Sequence, residues 1–220
     1  MAPIPHPRPD GRGHTVIIAR PHHPGPESHW YRADAIATFL PAGPVPPALN
    51  GIPFSPWREA PTRLDQWARV TGQNPTLKEP PLDAQGKQPA AGLVIEEADG
   101  RVWIVCPTNQ FAGCEATYPK GRADEGLTLQ VTALKETFEE TGLHVAITGF
   151  IGDYPGLITM ARYYRARRLG GTPAAMGWES QAVLLVPKKQ LATVVNLPRD
   201  RELARLIEDR PSQSPLPPSL

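Results

Sequence analysis

The sequence predicts an α/β domain, a mixed sheet sandwiched between helices, preceded by a proline-rich N-terminal arm. Three observations lead there. Of the 28 prolines, 18 lie before Ala91 and 10 after it, so the chain changes character near that point. Beyond Ala91, short strand-like apolar runs flank a stretch with helical periodicity between Thr128 and Thr141. A second helical pattern from Arg199 to Asp209 follows the last strand, and strands on both sides of a central helix with a terminal helix fit a layered α/β architecture. The expected divisions are an irregular arm over 1–88, a folded domain over 89–210 and a flexible proline-rich tail over 211–220.

Met1 to Gly13 is expected to be disordered, Thr15 to Ala19 to form a short strand, and Ala33 to Leu40 a helical turn or two. The run Pro41-Ala42-Gly43-Pro44-Val45-Pro46-Pro47 stops any regular element. Trp30, Phe39, Phe54, Trp57 and Trp67 are too many large apolar groups for a linker, so part of the arm is expected to dock on the domain or across a homodimer. Five of the six histidines (His6, His14, His22, His23, His29) also lie in the arm and read as solvated side chains.

Gly92 to Glu97 and Val102 to Cys106 read as strands joined by a hairpin turn at Ala98-Asp99-Gly100. Thr108 to Glu115 reads as a loop, and Ala116 to Tyr118 as a short strand delivering the chain to Gly121. Thr128 can start the central helix and Gly142 can end it. Val145 to Ile151, Ile158 to Arg167 and Gln181 to Val186 read as further strands.

Lys and Arg number 23 against 22 Asp and Glu, a formal charge of +1, so no strong field points to nucleic acid or an acidic membrane surface as partner. No apolar run reaches the ~18 residues of a membrane span, and the first residues lack a signal-peptide core. Two cysteines, Cys106 and Cys114, have no metal-binding spacing and cannot make a disulfide framework. A cytoplasmic protein is expected.

The chemistry concentrates in Pro119-Lys120-Gly121-Arg122-Ala123-Asp124-Glu125-Gly126-Leu127 and the helix after it, where Glu136, Glu139 and Glu140 stand at i, i+3 and i+4. At roughly 100° per residue the three carboxylates share one helix face, while Val131, Leu134 and Phe138 fall nearly opposite. Acidic clusters are common on solvated helix faces. Here, however, a glycine-containing loop and a capped helix frame the cluster, and a bound cation is the economical way to offset three crowded like charges.

Gly121, five residues, Leu127, seven residues and then Lys135-Glu136-Thr137-Phe138-Glu139-Glu140-Thr141-Gly142-Leu143 resembles the signature of the Nudix hydrolases, G-x5-E-x7-R-E-U-x-E-E-x-G-U with U aliphatic. Gly121, Glu136, Glu139, Glu140, Gly142 and Leu143 match; Leu127, Lys135 and Thr137 depart from it. The resemblance implies a Nudix α/β/α sandwich with a mixed sheet and hydrolysis of a phosphoanhydride in a nucleoside diphosphate linked to another moiety, ADP-ribose-like or a dinucleotide. It also implies Mg²⁺, with Mn²⁺ as a substitute, held by Glu139 and Glu140, by Glu136, and by the Gly121 carbonyl. Lys120, Arg122 and Arg162 are the candidate cations for a small-molecule nucleotide. Glu179, just before the last strand, resembles the position from which several Nudix enzymes supply a further ligand or base. Pro119-Lys120-Gly121 also resembles the lead-in of dinucleoside polyphosphate and diphosphoinositol hydrolases, which makes these the enzymatic alternative. A non-catalytic Nudix-like regulator that senses a nucleotide is the alternative of another class.

Overall fold

The computed structural model describes residues 4–21 and 23–209. In the arm it contains β1 (Ile4–Pro5), β2 (Ile17–Ile18), β3 (Ala37–Phe39), β4 (Ala48–Leu49), β5 (Ile52–Pro53) and α1 (Leu64–Trp67). There follow β6 (Gln88–Glu96), β7 (Arg101–Pro107), β8 (Lys120–Arg122), α2 (Leu129–Thr141), β9 (Leu143–Pro155), β10 (Thr159–Gly171), β11 (Ser180–Pro187), α3 (Leu191–Val194) and α4 (Pro198–Glu208). A seven-stranded sheet runs in the order β3-β11-β7-β6-β10-β9, with β8 beside β6. It is mixed because β6 and β10 are parallel, with Leu93 opposite Tyr164, while the other pairs are antiparallel.

Strand alternation sorts the core into two faces. Ala91, Leu93, Ile95, Trp103, Tyr164, Val183 and Leu185 face α2 and the arm. Ala90, Val94, Ile104, Tyr163, Ala182 and Val186 face α3 and α4 through Leu191, Leu203 and Ile207. The result is the expected α/β/α sandwich, with few helices and a dominant sheet. Thr128 caps α2 by accepting from the Val131 amide at 3.2 Å. Gly142 ends the helix at φ 70°, where a Cβ would stand 2.2 Å from the Thr172 carbonyl. The hairpin turns at Asp99-Gly100, with Gly100 at φ 83°.

The structure corrects the reading of the arm. Ala33 to Leu40 is not helical: Ala37–Phe39 forms β3 and pairs with Leu185, Leu184 and Val183 on the edge of the main sheet. A partner strand supplies hydrogen bonds that local helical preference cannot outweigh over so short a segment. Residues 4–13 are ordered rather than disordered, since β1 pairs with β2 and His6 is buried. The expected strand at Ala116 to Tyr118 is reduced to a bridge between Thr117 and Val105, and the strand falls at Lys120–Arg122 instead. The tail 211–220 and His22 lie outside the described residues.

The aromatic groups of the arm do dock. Trp30 packs tilted and Phe54 edge-on against Trp103, at centroid distances of 6.1 and 6.2 Å. Trp57 and Trp67 pack on Phe138 of α2 at 5.2 and 6.0 Å. Because so little of the arm is regular, its carbonyls need donors from elsewhere. Two buried arginines of the sheet provide them: Arg101 donates to the His29 and Trp30 carbonyls at 2.8 and 2.7 Å, and Arg168 to the Leu49 carbonyl at 2.8 Å. Trp30 is 2% exposed. Trp30→Ala in the full chain is therefore expected to cost about 3–5 kcal/mol of unfolding free energy by urea titration. A loss below about 1 kcal/mol would mean that the arm contributes nothing to the core.

Candidate active site

A cleft of about 770 Å³ opens beside the sheet where β7 parts from β6. The two strands share one paired position, Glu96 with Val102, and β8 then takes the place of β7 alongside β6, with Gly121 opposite Ala91. Lys120, Gly121, Arg122, Glu136, Glu140 and Glu179 line the cleft, together with Pro107 to Thr117, Pro155 to Thr159 and Leu197 to Arg199.

Glu136 and Glu140, one turn apart on α2, meet Glu179 from the β10–β11 connection, with one carboxylate oxygen of each within 4.8 Å of the others. Backbone approach makes this possible. A Cβ at Gly121 would lie 1.8 Å from Glu136 Oε2, so the carboxylate occupies the space that any other residue would fill. The Lys120 amide donates to Glu140 Oε2 at 2.8 Å. The segment carrying Glu179 is tied at both ends: the Gly177 amide donates to the Glu139 carbonyl at 2.6 Å, and the Thr108 amide to the Glu179 carbonyl at 2.8 Å.

Glu139 stands apart from this trio. It is half exposed and accepts from Lys135 Nζ at 2.9 Å. Lys135 also reaches Asp124 at 3.1 Å and Glu136 at 3.5 Å, so it ties the loop to the helix. Leu127, at another departure from the signature, packs against the core beneath α2.

Arg162 is not in the cleft. It lies on the α2 face with Tyr164, as alternation requires, and its guanidinium is saturated by Asp153 at 2.7 Å and Glu79 at 2.8 Å. With its side chain 3% exposed and each of its three nitrogens already donating to Asp153 or Glu79, Arg162 does not line the cleft, contrary to the expectation that it binds substrate there. Lys120 and Arg122 do line the cleft. So does Arg199 in the first turn of α4, a position for which the sequence offers only the helix-start signal of Pro198.

The trio is electrostatically unfavourable as it stands. Burial, followed by the charges of Glu139 and Glu179, pushes the Glu136 carboxyl up to about 7. Burial and Glu136 push Glu140 up to about 8. Desolvation in the cleft and the charge of Glu139 raise Glu179 as well. Three oxygen donors whose mutual repulsion Lys135 and Lys120 offset only in part, set against a glycine backbone, suit a hard divalent cation. The folded, metal-free protein holds protons that the unfolded chain releases above its ordinary glutamate value near 4.5. Stability in chelator is therefore expected to fall as pH rises from about 5 to 8, seen as a decrease in Tm. Glu140→Gln should flatten that decrease, and Mg²⁺ should raise Tm more at pH 8 than at pH 5. A pH-independent wild-type Tm in chelator would contradict the crowding of the three carboxylates.

A family model for the NUDIX domain matches residues 86–207. The chain is 33% identical over 100 residues to an RNA pyrophosphohydrolase of Caulobacter vibrioides (strain NA1000 / CB15N), covering 46% of this chain and 56% of that protein. It is 30% identical over 84 residues to nucleoside diphosphate-linked moiety X motif 6 of Xenopus laevis, covering 36% of this chain and 38% of that one. The chain thus matches about half the length of the first relative and less of the second. A crystal structure of a NUDIX hydrolase from Nitrosomonas europaea aligns with a TM-score of 0.48 at 24% identity, over 57% of this chain and 73% of that one. No helix among the described residues is long and apolar enough to cross a membrane. With the family model spanning more than half of the sequence and two of the signature glutamates, Glu136 and Glu140, gathered beside Gly121, the chain belongs to the NUDIX family.

Proposed function

We propose that the protein hydrolyses a phosphoanhydride joining a nucleoside phosphate to a second phosphate-bearing group, ADP-ribose-like or a dinucleotide, and that it does so with Mg²⁺. The observation that carries this reading is the convergence of Glu136, Glu140 and Glu179 within 4.8 Å at the floor of an open cleft that also holds Lys120 and Arg122. Bound Mg²⁺ would supply neutralisation of the charge that builds up on phosphate oxygens during displacement.

The chain's own groups divide the remaining work. Glu136 and Glu140 hold the cation, their orientation fixed by Gly121 and by the Lys120 amide. Lys120 and Arg122 bind phosphate oxygens. Glu179, the exposed member of the trio, accepts the proton of the attacking water on its carboxylate, whose basicity burial and the Glu139 charge raise above that of an ordinary glutamate. Glu139, held by Lys135, keeps that lysine across the loop and helix. At the rim, Phe111, Leu157 and Ile158 are exposed apolar side chains on the two jaws of the cleft, suited to the flat faces of a nucleobase. This reading needs neither a cytoplasmic setting nor a homodimer; both stay expectations from sequence.

Glu136→Gln and Glu140→Gln are each expected to lower Mg²⁺-dependent turnover by about 100-fold or more. Glu179→Gln should lower kcat while leaving Mg²⁺ affinity, measured calorimetrically, nearly intact. The panel comprises ADP-ribose, NADH, dinucleoside polyphosphates, nucleoside triphosphates and a 5′-triphosphorylated RNA oligonucleotide, the last because one relative is named for RNA. Product identity distinguishes the substrates. Tight nucleotide binding without any Mg²⁺-dependent product would replace the hydrolase with the sensor, and full activity in Glu140→Gln would remove the site assignment.

A further inference from the structure

We infer that Arg199 is a specificity-determining residue that binds a second anionic group of the substrate, a phosphate beyond the anhydride held at the carboxylates; this rests on the hydrolase reading above. Arg199 lines the same cleft from the first turn of α4, on the side opposite α2. Its side chain is only 10% exposed, so a solvated surface charge does not describe it.

The guanidinium is held without being used up. Its Nε donates to Asp200 Oδ1 at 2.8 Å. Asp200 is fully buried and also accepts from Thr117 Oγ1 at 2.7 Å, so the carboxylate is itself fixed to the sheet. The guanidinium lies 5.9 Å from the centre of the Tyr163 ring. A Cβ at Gly156 would come within 2.9 Å of Nη1, so the cleft wall closes on it from the far side. The hydrogen bond to Asp200 engages Nε alone, and among the described residues none engages Nη1 or Nη2 of this cleft-lining side chain. This is the geometry in which arginine grips a phosphate with two donors, and a preordered fork loses little freedom on binding.

The two ends of the cleft belong to one binding region. Arg199, Cys114, Glu136 and Glu140 all line it, and Cys114 feels the charges of both Arg199 and Glu140. A substrate with only two phosphates would have both engaged at the carboxylate end. One with a longer chain, such as a dinucleoside polyphosphate or a nucleoside triphosphate, would present a further phosphate to Arg199. The same cation would serve poorly for a neutral sugar.

The test compares the full-length wild type with Arg199→Gln and with Arg199→Gln/Asp200→Asn, which removes both members of the buried pair so that folding is not burdened by an unpaired carboxylate. The ratio of kcat/KM for diadenosine tetraphosphate over ADP-ribose is expected to fall about tenfold or more in the variants, mainly through KM. Equal losses on both substrates, or none, in a variant whose Tm matches that of the wild type would overturn the assignment. A second measurement does not depend on turnover. Tripolyphosphate, titrated calorimetrically in chelator, should bind the wild type about tenfold or more tightly than the double variant. If no phosphoanhydride is hydrolysed, the hydrolase reading fails while this titration still decides on Arg199; equal or absent tripolyphosphate binding overturns the subsite itself.

Discussion

Everything at the site depends on keeping half-buried carboxylates close together although they repel one another. Two like charges a helical turn apart destabilise an isolated helix by a few tenths of a kcal/mol, and withdrawal from water costs more. The protein offsets this with neighbours rather than with distance. Lys135 bridges Asp124, Glu136 and Glu139, and the Lys120 amide engages Glu140. The absent side chain of Gly121 lets Glu136 approach the backbone. A cation would complete the set, and the raised proton affinities of Glu136 and Glu140 measure how much is still missing without one.

Such a helix must be held from behind, and the arm does that. Trp57 and Trp67 pack on Phe138, on the face of α2 opposite the acids, and Trp57 stacks on His144 at 3.9 Å just past the helix end. At the other end, Gln130 exchanges hydrogen bonds with both backbone groups of Asn74, as a strand neighbour would. The arm is thus joined to the carboxylate helix at both ends, and its anchorage runs back into the sheet. Glu97 accepts from Arg168, Trp103 and Asn50, gathering the hairpin, β10 and the β4–β5 turn at one buried acid. Paired and fully hydrogen-bonded, such a charge is tolerable; stripped of Arg168 it would not be.

The parts of this arrangement that were legible in sequence are those set by local rules. Thr128 and Gly142 delimit α2, Asp99-Gly100 makes the hairpin turn, and alternation divides Arg162 and Tyr164 from Tyr163. The misreadings share a cause of the opposite kind. Ala37–Phe39 becomes a strand because β11, about 145 residues later, offers an open edge. Arg162 is lost to the substrate because Glu79, in a stretch with no periodic signal, arrives beside Asp153. Glu139 and Glu140 are adjacent in the signature, yet helical geometry turns one towards Lys135 and the other under the Lys120 amide.

The same division separates chemistry from recognition. Two of the three clustered carboxylates come from a single helix, because i, i+4 spacing on a rigid element holds donors to the tolerance a cation demands. Substrate selection has no such need. The cleft's other walls come from the loop after β7, the β9–β10 turn and the start of α4, segments far apart in sequence. They are cross-linked by side chains rather than by strands: Asn196 accepts from the Glu115 and Ala116 amides and donates to the Gly113 carbonyl, while Thr117 reaches Asp200. α2 itself is held by the arm, which packs beside it on the same face of the sheet, whereas α4 lies on the other face. Glu136 and Glu140 thus rest on a helix packed from behind, whereas the other cleft walls rest on loops, and a signature confined to Gly121–Leu143 covers the first and little of the second.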